Sequence, residues 1–189
     1  MNEADLALYL MLGQTAQREV KRTTDVVPLE KLPISPTISL SELLPEESKN
    51  AIVTSEVFKL FYVFENYLRD LVLDGLSESY KDGWWEKIPL NLRQEIEKVQ
   101  ENDERKTWMA HSSRSKLDLA TLPQLVAIMD DKDNWKEVFE PLLRDKGLIH
   151  ETRAICHTRN LVCHMHVVTP EETERLKQVI RDWFRIVSP

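Results

Sequence analysis

The segment from Ser48 to about Ser79 constrains the fold most, because it gives the longest helical signal in the chain. Its apolar residues recur every three or four positions, as on the buried face of an amphipathic helix. They are Ile52, Phe58, Phe61, Phe64, Leu68, Leu71 and Val72. No part of the chain carries a clear strand signal, so the pattern predicts an all-α protein.

A second long helix is predicted from Gly147 to His166, where no proline interrupts the chain and Pro170 follows. On a projection at about 100° per residue, this helix has one apolar and one polar face. The apolar face carries Leu148, Ile149, Ile155, Cys156, Val162 and Cys163. The polar face carries His150, Arg153, His157, Asn160 and His164.

Arg159 lies near the middle of the apolar face, where a charge is costly unless it is paired or functional. Arg159 and His164 are five residues apart, so on an ideal helix they point about 140° away from each other. Either the arginine stem curls around the helix, or a second chain completes the site. The structural alternative is an ion pair that buries Arg159, with Glu65 as its candidate partner, and a His164 that interacts with the helix dipole.

The sequence Arg159-Asn-Leu-Val-Cys-His164 resembles the Arg-(four to six residues)-His motif of the HEPN superfamily, in which a polar residue usually follows the arginine. The order of elements is similar too, with a long helix well upstream and one closing helix after the motif. This resemblance spans roughly residues 48–187 and implies an HEPN-like helical bundle. The run from Phe64 to Arg69 resembles the first core helix of some members, so Glu65 and Arg69 are candidates to support the site.

The resemblance implies a metal-independent endoribonuclease with an active site in a cleft between two protomers. Its candidate catalytic residues are Arg159, His164 and Asn160, and Arg153 and His157 are candidate substrate contacts. The superfamily acts in toxin modules, phage defence and RNA processing, so RNA, a second copy of the chain and a cognate inhibitor protein are the expected partners. His166 stands where some HEPN toxins carry a modifiable tyrosine, so control through that tyrosine is not expected.

The residue types at the motif suit RNA cleavage by attack of the 2′-hydroxyl on the adjacent phosphorus. A histidine titrates near neutrality and can transfer the protons, and a guanidinium can hold two phosphate oxygens. Asn160 is four residues before His164 and can orient its ring or contact phosphate. The expected products carry 2′,3′-cyclic phosphate and 5′-hydroxyl ends. Two alternatives remain: a non-catalytic HEPN domain that binds nucleotide or RNA, and a helical dimerisation module.

Other kinds of site lack support in the sequence. His150, His157 and His164 repeat every seven residues, whereas zinc ligands on one helix need about one turn between them. The chain has four glycines and no Gly-rich phosphate loop, and no pattern indicates a Ser-His-Asp or Cys-His hydrolase. We therefore expect neither a metal nor a cofactor.

The 189 residues are predicted to form an N-terminal helix with an extended, proline-rich arm, residues 1–47, and a helical domain, residues 48–189. The first helix covers Asn2 to about Arg22, and the arm is either a linker or an oligomerisation arm. A net charge of −7 argues against a general nucleic-acid coat. The acidic N-terminus, the lack of a membrane span and two cysteines predicted to be buried and reduced favour a cytoplasmic protein.

The remaining helices are predicted from caps and periodicity. Leu90 to about Met109 is predicted to be helical. Trp108, beside the basic connection at the end of this helix, either packs into the core or stacks on RNA. Thr121 and Asp133 are the predicted N-caps of the next two helices, and Pro141 is predicted to kink or end the second. A capping box at residues 169–172 starts the last helix. Its predicted buried stripe is Leu176, Val179, Ile180, Phe184 and Val187.

Overall fold

The structure, a computed structural model, describes residue 33, residues 38–106, residue 108 and residues 115–187. Apart from one isolated β-bridge between Pro33 and Ser39, these residues form helices, turns and irregular connections, which confirms the all-α prediction. The predicted helix from Asn2 to Arg22 lies outside the described residues. The chain divides into two units, Met1–Val53 and Thr54–Pro189, and the predicted domain boundary at residue 47 stays a prediction.

The end of the arm is helical rather than extended. Helix α1 is Leu40–Leu43, and the long helix α2 is Pro45–Tyr80. Pro45 is the first residue of α2, a position that tolerates proline because its backbone N–H would have no partner within the helix. The prolines of the arm therefore do not exclude helix before residue 48, contrary to the prediction of an extended arm.

Among the described residues, six further helices and a π-helical turn follow α2 in the second unit. In chain order they are α3 (Leu90–Glu104), α4 (Leu122–Asp130), α5 (Lys132–Asn134), a π-helical turn (Trp135–Phe139), α6 (Glu140–Leu143), α7 (Gly147–Cys163) and α8 (Pro170–Val187). The part of the chain that the structure describes also has three 3₁₀ turns: Lys81–Gly83 and Trp85–Lys87 between α2 and α3, and Lys116–Leu119 between α3 and α4. In the described part of the chain, no helix is long and apolar enough to cross a bilayer.

One cluster of buried apolar side chains joins α2, α3, α4, α7 and α8. Phe64 of α2 meets Trp183 of α8 edge on, with 6.3 Å between the ring centroids. The indole N–H of Trp183 donates to the hydroxyl of Thr152 on α7 at 2.7 Å, so the ring is buried without leaving its polar group unpaired. These three residues tie the motif helix α7 to both the longest helix and the last one.

The predicted apolar stripes are correct for most positions and wrong at their edges. On α2, Phe61, Phe64, Leu68 and Val72 are buried, but Phe58 is half exposed. On α8 the core position after Val179 is Trp183, whereas Phe184, predicted to be buried, is partly exposed. Trp183 follows Val179 by four residues, so the 3.6-residue period accommodates either aromatic and does not choose between them.

Two of the three predicted helix caps are confirmed. Thr121 precedes α4, where its backbone N–H donates to the side chain of Gln124 at 2.9 Å. Thr169 precedes α8, where its hydroxyl accepts from the N–H of Glu172 at 3.3 Å. The third cap is Asp131 rather than Asp133, because the Asp131 carboxylate accepts from the N–H groups of Asp133 and Asn134.

Several local predictions between α2 and α7 are corrected by the structure. Helix α3 ends at Glu104, five residues earlier than predicted, and Trp108 is 81% exposed rather than packed in the core. Pro141 does not end its helix, which runs to Leu143. The π-helical turn immediately before α6 widens the backbone where the missing N–H of proline would otherwise break an α-helical hydrogen bond.

Candidate active site

Helix α7 has the two faces that its sequence predicts. Its buried residues are Ile149, Thr152, Ile155, Cys156, Thr158 and Val162, and Thr158 also donates to the carboxylate of Glu172 on α8 at 3.1 Å. The polar face is exposed along its whole length, at His150, Arg153, His157, Asn160 and His164. The helix is therefore fixed to the core by one face and presents its polar residues to solvent.

Arg159 is partly buried and is paired with Glu65 of α2. The Arg159 Nε donates to Glu65 Oε2 at 3.1 Å, and Nη2 donates to Oε1 at 3.4 Å. The side chains are 23% and 13% exposed, so the pair is largely shielded from water. Burial alone would lower the pKa of Arg159, but the hydrogen bonds and charge of Glu65 outweigh it and raise the pKa above its usual value. Arg159 is therefore a permanent cation with a fixed orientation.

Arg69, one helical turn after Glu65, anchors the same carboxylate. Its Nη2 donates to Glu65 Oε1 at 3.1 Å, and its side chain is only 10% exposed. Other N–H groups of Arg69 donate to the carbonyl oxygens of Leu117 and Ala120 at 3.1 and 3.0 Å. Arg69 thus connects the turn before α4 to Glu65, and Glu65 in turn orients Arg159.

The three charged residues do not cancel. One carboxylate faces two guanidiniums, so with Glu65 ionised the cluster keeps one net positive charge. Two of the five guanidinium N–H groups of Arg159 donate to Glu65, and the other three have no acceptor among the described residues. The arrangement can therefore hold Arg159 in place and still leave it able to bind an anion.

A small pocket opens beside Arg159 between α2 and α7. It is lined by Phe58, Phe61, Tyr62, Glu65, Arg159, Val162 and Cys163. Phe58 was predicted to be a core residue, and Tyr62 was not singled out by the sequence. The missed signal is their spacing, because Phe58, Tyr62, Glu65 and Arg69 lie at positions i, i+4, i+7 and i+11 and form one stripe of α2.

The motif helix ends earlier than predicted, at Cys163, and His164 is its C-cap. The N–H of Met165 donates to the Val162 carbonyl and the N–H of His166 to the Leu161 carbonyl, both at 3.0 Å. This is a Schellman termination, which requires a left-handed residue, here Met165 with φ of 62°. The imidazole of His164 is consequently exposed at the tip of α7 rather than on a continuing helix.

Asn160 does not orient the His164 ring through its side chain. The hydrogen bond between these residues joins the backbone N–H of His164 to the Asn160 carbonyl at 3.0 Å. Within the described residues, neither the Asn160 amide nor the His164 ring forms a side-chain hydrogen bond or ion pair. Both groups are exposed and available to a ligand or a second chain.

The structure places Arg153 and His157 apart from the Glu65 cluster. Arg153 Nη2 pairs with Asp130 of α4 at 2.6 Å, and Lys146 pairs with the same carboxylate at 2.5 Å. Burial raises the pKa of Asp130, but the two cations outweigh it and hold the pKa below its usual value. His157 is exposed, and in the part of the chain that is described its side chain forms no hydrogen bond. Among the predicted site residues, Arg159, Glu65 and Arg69 form one connected group.

The two cysteines differ, although both were predicted to be buried. Cys156 is buried and donates to the Thr152 carbonyl at 3.4 Å, and burial together with the nearby Glu65 carboxylate raises its thiol pKa to about 11. Cys163 is exposed, because it is the last residue of α7 and lines the open pocket. The prediction of a buried thiol is therefore wrong for Cys163.

Comparison with known families identifies the family of this chain. The family model of Swt1-like HEPN domains matches residues 59–188, which include the Glu65 cluster, the motif helix and the closing helix. No curated protein and no solved structure matches the chain significantly. The matched segment covers more than half of the 189 residues. The chain therefore belongs to the Swt1-like HEPN family.

Proposed function

We propose that this HEPN domain is a metal-independent endoribonuclease. In the proposed reaction the 2′-oxygen of a ribose forms a bond to the adjacent phosphorus, and the bond from phosphorus to the 5′-oxygen breaks. One group removes the proton of the 2′-hydroxyl, and another protonates the leaving 5′-oxygen. The products are a 2′,3′-cyclic phosphate and a 5′-hydroxyl end, and RNA is required because DNA lacks the nucleophile.

The observation that carries the proposal is that the guanidinium of Arg159 is held in a fixed orientation while three of its N–H groups have no acceptor among the described residues. A phosphorane carries more negative charge on its oxygens than the ground-state phosphodiester. A cation that is already oriented stabilises this charge without reorganising during the reaction. Glu65 orients Arg159, Arg69 balances the charge of Glu65, and three N–H groups of Arg159 remain for phosphate oxygens.

His164 is the proposed proton-transfer group, and Asn160 is the proposed phosphate or ring contact beside it. Both side chains are exposed and form no side-chain hydrogen bond or ion pair within the described chain. The reaction needs a base and an acid, whereas each protomer supplies one His164. We therefore propose that the active site forms in a homodimer, in which two copies of the motif share one substrate phosphate.

Cleavage of a labelled RNA by the purified full-length protein tests the proposal. We expect Arg159→Ala and His164→Ala to abolish cleavage, and His157→Ala to reduce it less. Arg181→Ala and His150→Ala are the matched controls, since both replace exposed residues of the same types outside the proposed catalytic group. We expect both controls to cleave at the wild-type rate with an unchanged far-ultraviolet circular dichroism spectrum.

The chemistry has its own test. Cleavage of RNA is expected to continue in excess EDTA. A substrate with 2′-deoxyribose at the scissile position is expected to remain uncleaved. Products with 5′-phosphate ends, or activity restored only by Mg²⁺ or Mn²⁺, would contradict the mechanism even if Arg159 were essential. Light scattering at micromolar concentration tests the composite site, which a monomer that still cleaves RNA would rule out.

The second candidate is an HEPN domain that binds nucleotide or RNA without cleaving it. The observation in its favour is that Arg159 is already paired with Glu65, while the His164 ring has no group in the described chain that orients it. Binding of a labelled RNA with no cleavage by the wild-type protein would support this candidate over the endoribonuclease.

A further inference from the structure

The aromatic side chains at the mouth of the pocket are not explained by folding or by phosphate chemistry. Phe58 and Tyr62 are 50% and 63% exposed, although both lie on the helix that supplies the core with Phe61 and Phe64. Their ring centroids are 6.3 Å apart with an angle of 35° between the planes. Two neighbouring rings that remain this exposed beside a pocket indicate a binding surface more than a packing element.

We propose that Phe58 and Tyr62 form a nucleobase subsite next to Arg159. The inference rests on the proposed function, because it takes RNA as the substrate and the phosphate at Arg159 as the reference point. A base attached to the nucleotide at that phosphate lies against the two rings, whose faces stack on bases. The two rings then bind the substrate base and take no direct part in proton transfer.

The charges beside the rings identify the occupant. Arg159 forms part of the wall of the same pocket, and its cluster keeps one net positive charge in a chain whose net charge is −7. A ligand that matches both features combines a planar apolar group with a neighbouring anion. A nucleotide has this combination, whereas an apolar segment of another protein would leave the unpaired N–H groups of Arg159 without acceptors.

The pairing of Glu65 determines the kind of selectivity. A carboxylate near a base can read its edge through hydrogen bonds, but both oxygens of Glu65 already accept from arginines. Recognition at this subsite is therefore by stacking, which accepts any base because every base has a π face. The subsite requires a base to be present and discriminates little among the four.

Binding of non-cleavable oligonucleotides tests the subsite directly. The probes are a 2′-O-methyl oligoadenylate and a 2′-O-methyl oligomer of the same length whose residues are abasic. Since stacking one base contributes about 1 kcal/mol or more, the wild-type protein is expected to bind the adenine probe at least about fivefold more tightly. In the double variant Phe58→Leu/Tyr62→Leu, the ratio of the affinity for the adenine probe to the affinity for the abasic probe is expected to fall close to one. The affinity for the abasic probe itself is expected to stay unchanged.

Tyr62→Phe is the matched control, because it keeps the ring and removes only the hydroxyl. It is expected to keep the preference for the adenine probe. Circular dichroism of each variant checks the fold, and Phe58 and Tyr62 can be replaced singly if the double variant does not fold. Equal binding of both probes by the wild-type protein, or an unchanged ratio in the folded variants, would overturn the inference.

Two further outcomes distinguish a base subsite from a protein contact, and the subsite from the cleavage reaction. If the leucine variants lose affinity for both probes equally and their mass falls from dimer to monomer, the rings form a protein contact and the inference is wrong. If the wild-type protein cleaves RNA but binds the abasic probe as tightly as the adenine probe, only the subsite proposal is wrong. If it prefers the adenine probe but never cleaves RNA, the subsite stands and the endoribonuclease proposal fails.

Discussion

The sharing of Glu65 between two arginines predicts an asymmetry in stability that separates the structural and functional roles of Arg159. Arg159→Ala removes one cation but leaves Glu65 paired with Arg69 at 3.1 Å. Glu65→Gln keeps the side-chain volume but removes the one anion among the described residues that faces both guanidiniums. We therefore expect the second substitution to cost much more free energy of unfolding than the first.

The magnitudes follow from the contacts and their exposure. Arg159→Ala loses hydrogen bonds of 3.1 and 3.4 Å to a charged group, but it also regains side-chain entropy, so the net cost is about 1–2 kcal/mol. Removing one partner of a buried ion pair costs about 3–5 kcal/mol, because it leaves an uncompensated charge. Glu65→Gln is expected near the lower limit, about 3 kcal/mol, since its amide oxygen can still accept one hydrogen bond.

Urea unfolding of the full-length chain, followed by circular dichroism, measures both costs. The double substitution Glu65→Gln/Arg159→Ala is expected to cost about 1–2 kcal/mol less than the sum of the single costs. The reason is that removing Arg159 removes one of the two guanidiniums that Glu65→Gln leaves unpaired. An Arg159→Ala cost as large as that of Glu65→Gln, or strict additivity, would refute this description of the cluster.

Three further predictions concern other parts of the second unit. Met165→Gly is expected to raise the free energy of unfolding by about 1 kcal/mol, because glycine adopts the left-handed conformation at φ of 62° without strain; urea unfolding measures the gain. Gly75→Ala is expected to destabilise the protein despite a helix-propensity gain of about 1 kcal/mol, because the new Cβ would lie 2.8 Å from Val138 Cγ1; thermal unfolding measures the net effect, and added Val138→Ala should relieve it. Asp130→Asn is expected to cost about 1 kcal/mol near pH 7. The folded-state pKa of Asp130 is lowered, so the stabilisation that its ionised carboxylate gives is present above its unfolded pKa of about 4 and is lost as the pH falls through the folded-state pKa. The difference in free energy of unfolding between the wild-type protein and Asp130→Asn should therefore shrink in acid. Urea unfolding at several pH values measures this difference.

Much of the fold could be predicted because its signals are local and periodic. The stripe from Phe61 to Val72 follows the helical period, and the caps Thr121 and Thr169 each act within one turn. The alternative partner proposed for Arg159, Glu65, was also correct. A cation on an otherwise apolar face needs an anion, and the choice of anion was limited by the few acids on the core side of the long helix.

The errors arose where tertiary context decides between local alternatives. The absence of proline before Pro170 suggested that α7 continues to His166, yet a left-handed methionine ends it after Cys163. Periodicity alone could not distinguish Trp183 from Phe184, because the choice depends on Thr152 being placed to accept from the indole N–H. Phe58 has the spacing of a core residue, but it lines the pocket and is half exposed.

The structural and catalytic interpretations of Arg159 are compatible in this geometry. A guanidinium without an anchor would sample many rotamers on a helix that ends at Cys163, and ordering it on the phosphate would cost free energy at the moment of binding. The Glu65 carboxylate orders the guanidinium during folding, but alone it would neutralise the charge needed for the phosphate contact proposed above. Arg69 removes that conflict. It is buried, donates to the carbonyl oxygens of Leu117 and Ala120, and balances the charge of Glu65 without being one of the residues that line the pocket. A preorganised single positive charge therefore needs all three residues, and loss of Arg69 should weaken function through the orientation of Arg159 while leaving the motif itself intact.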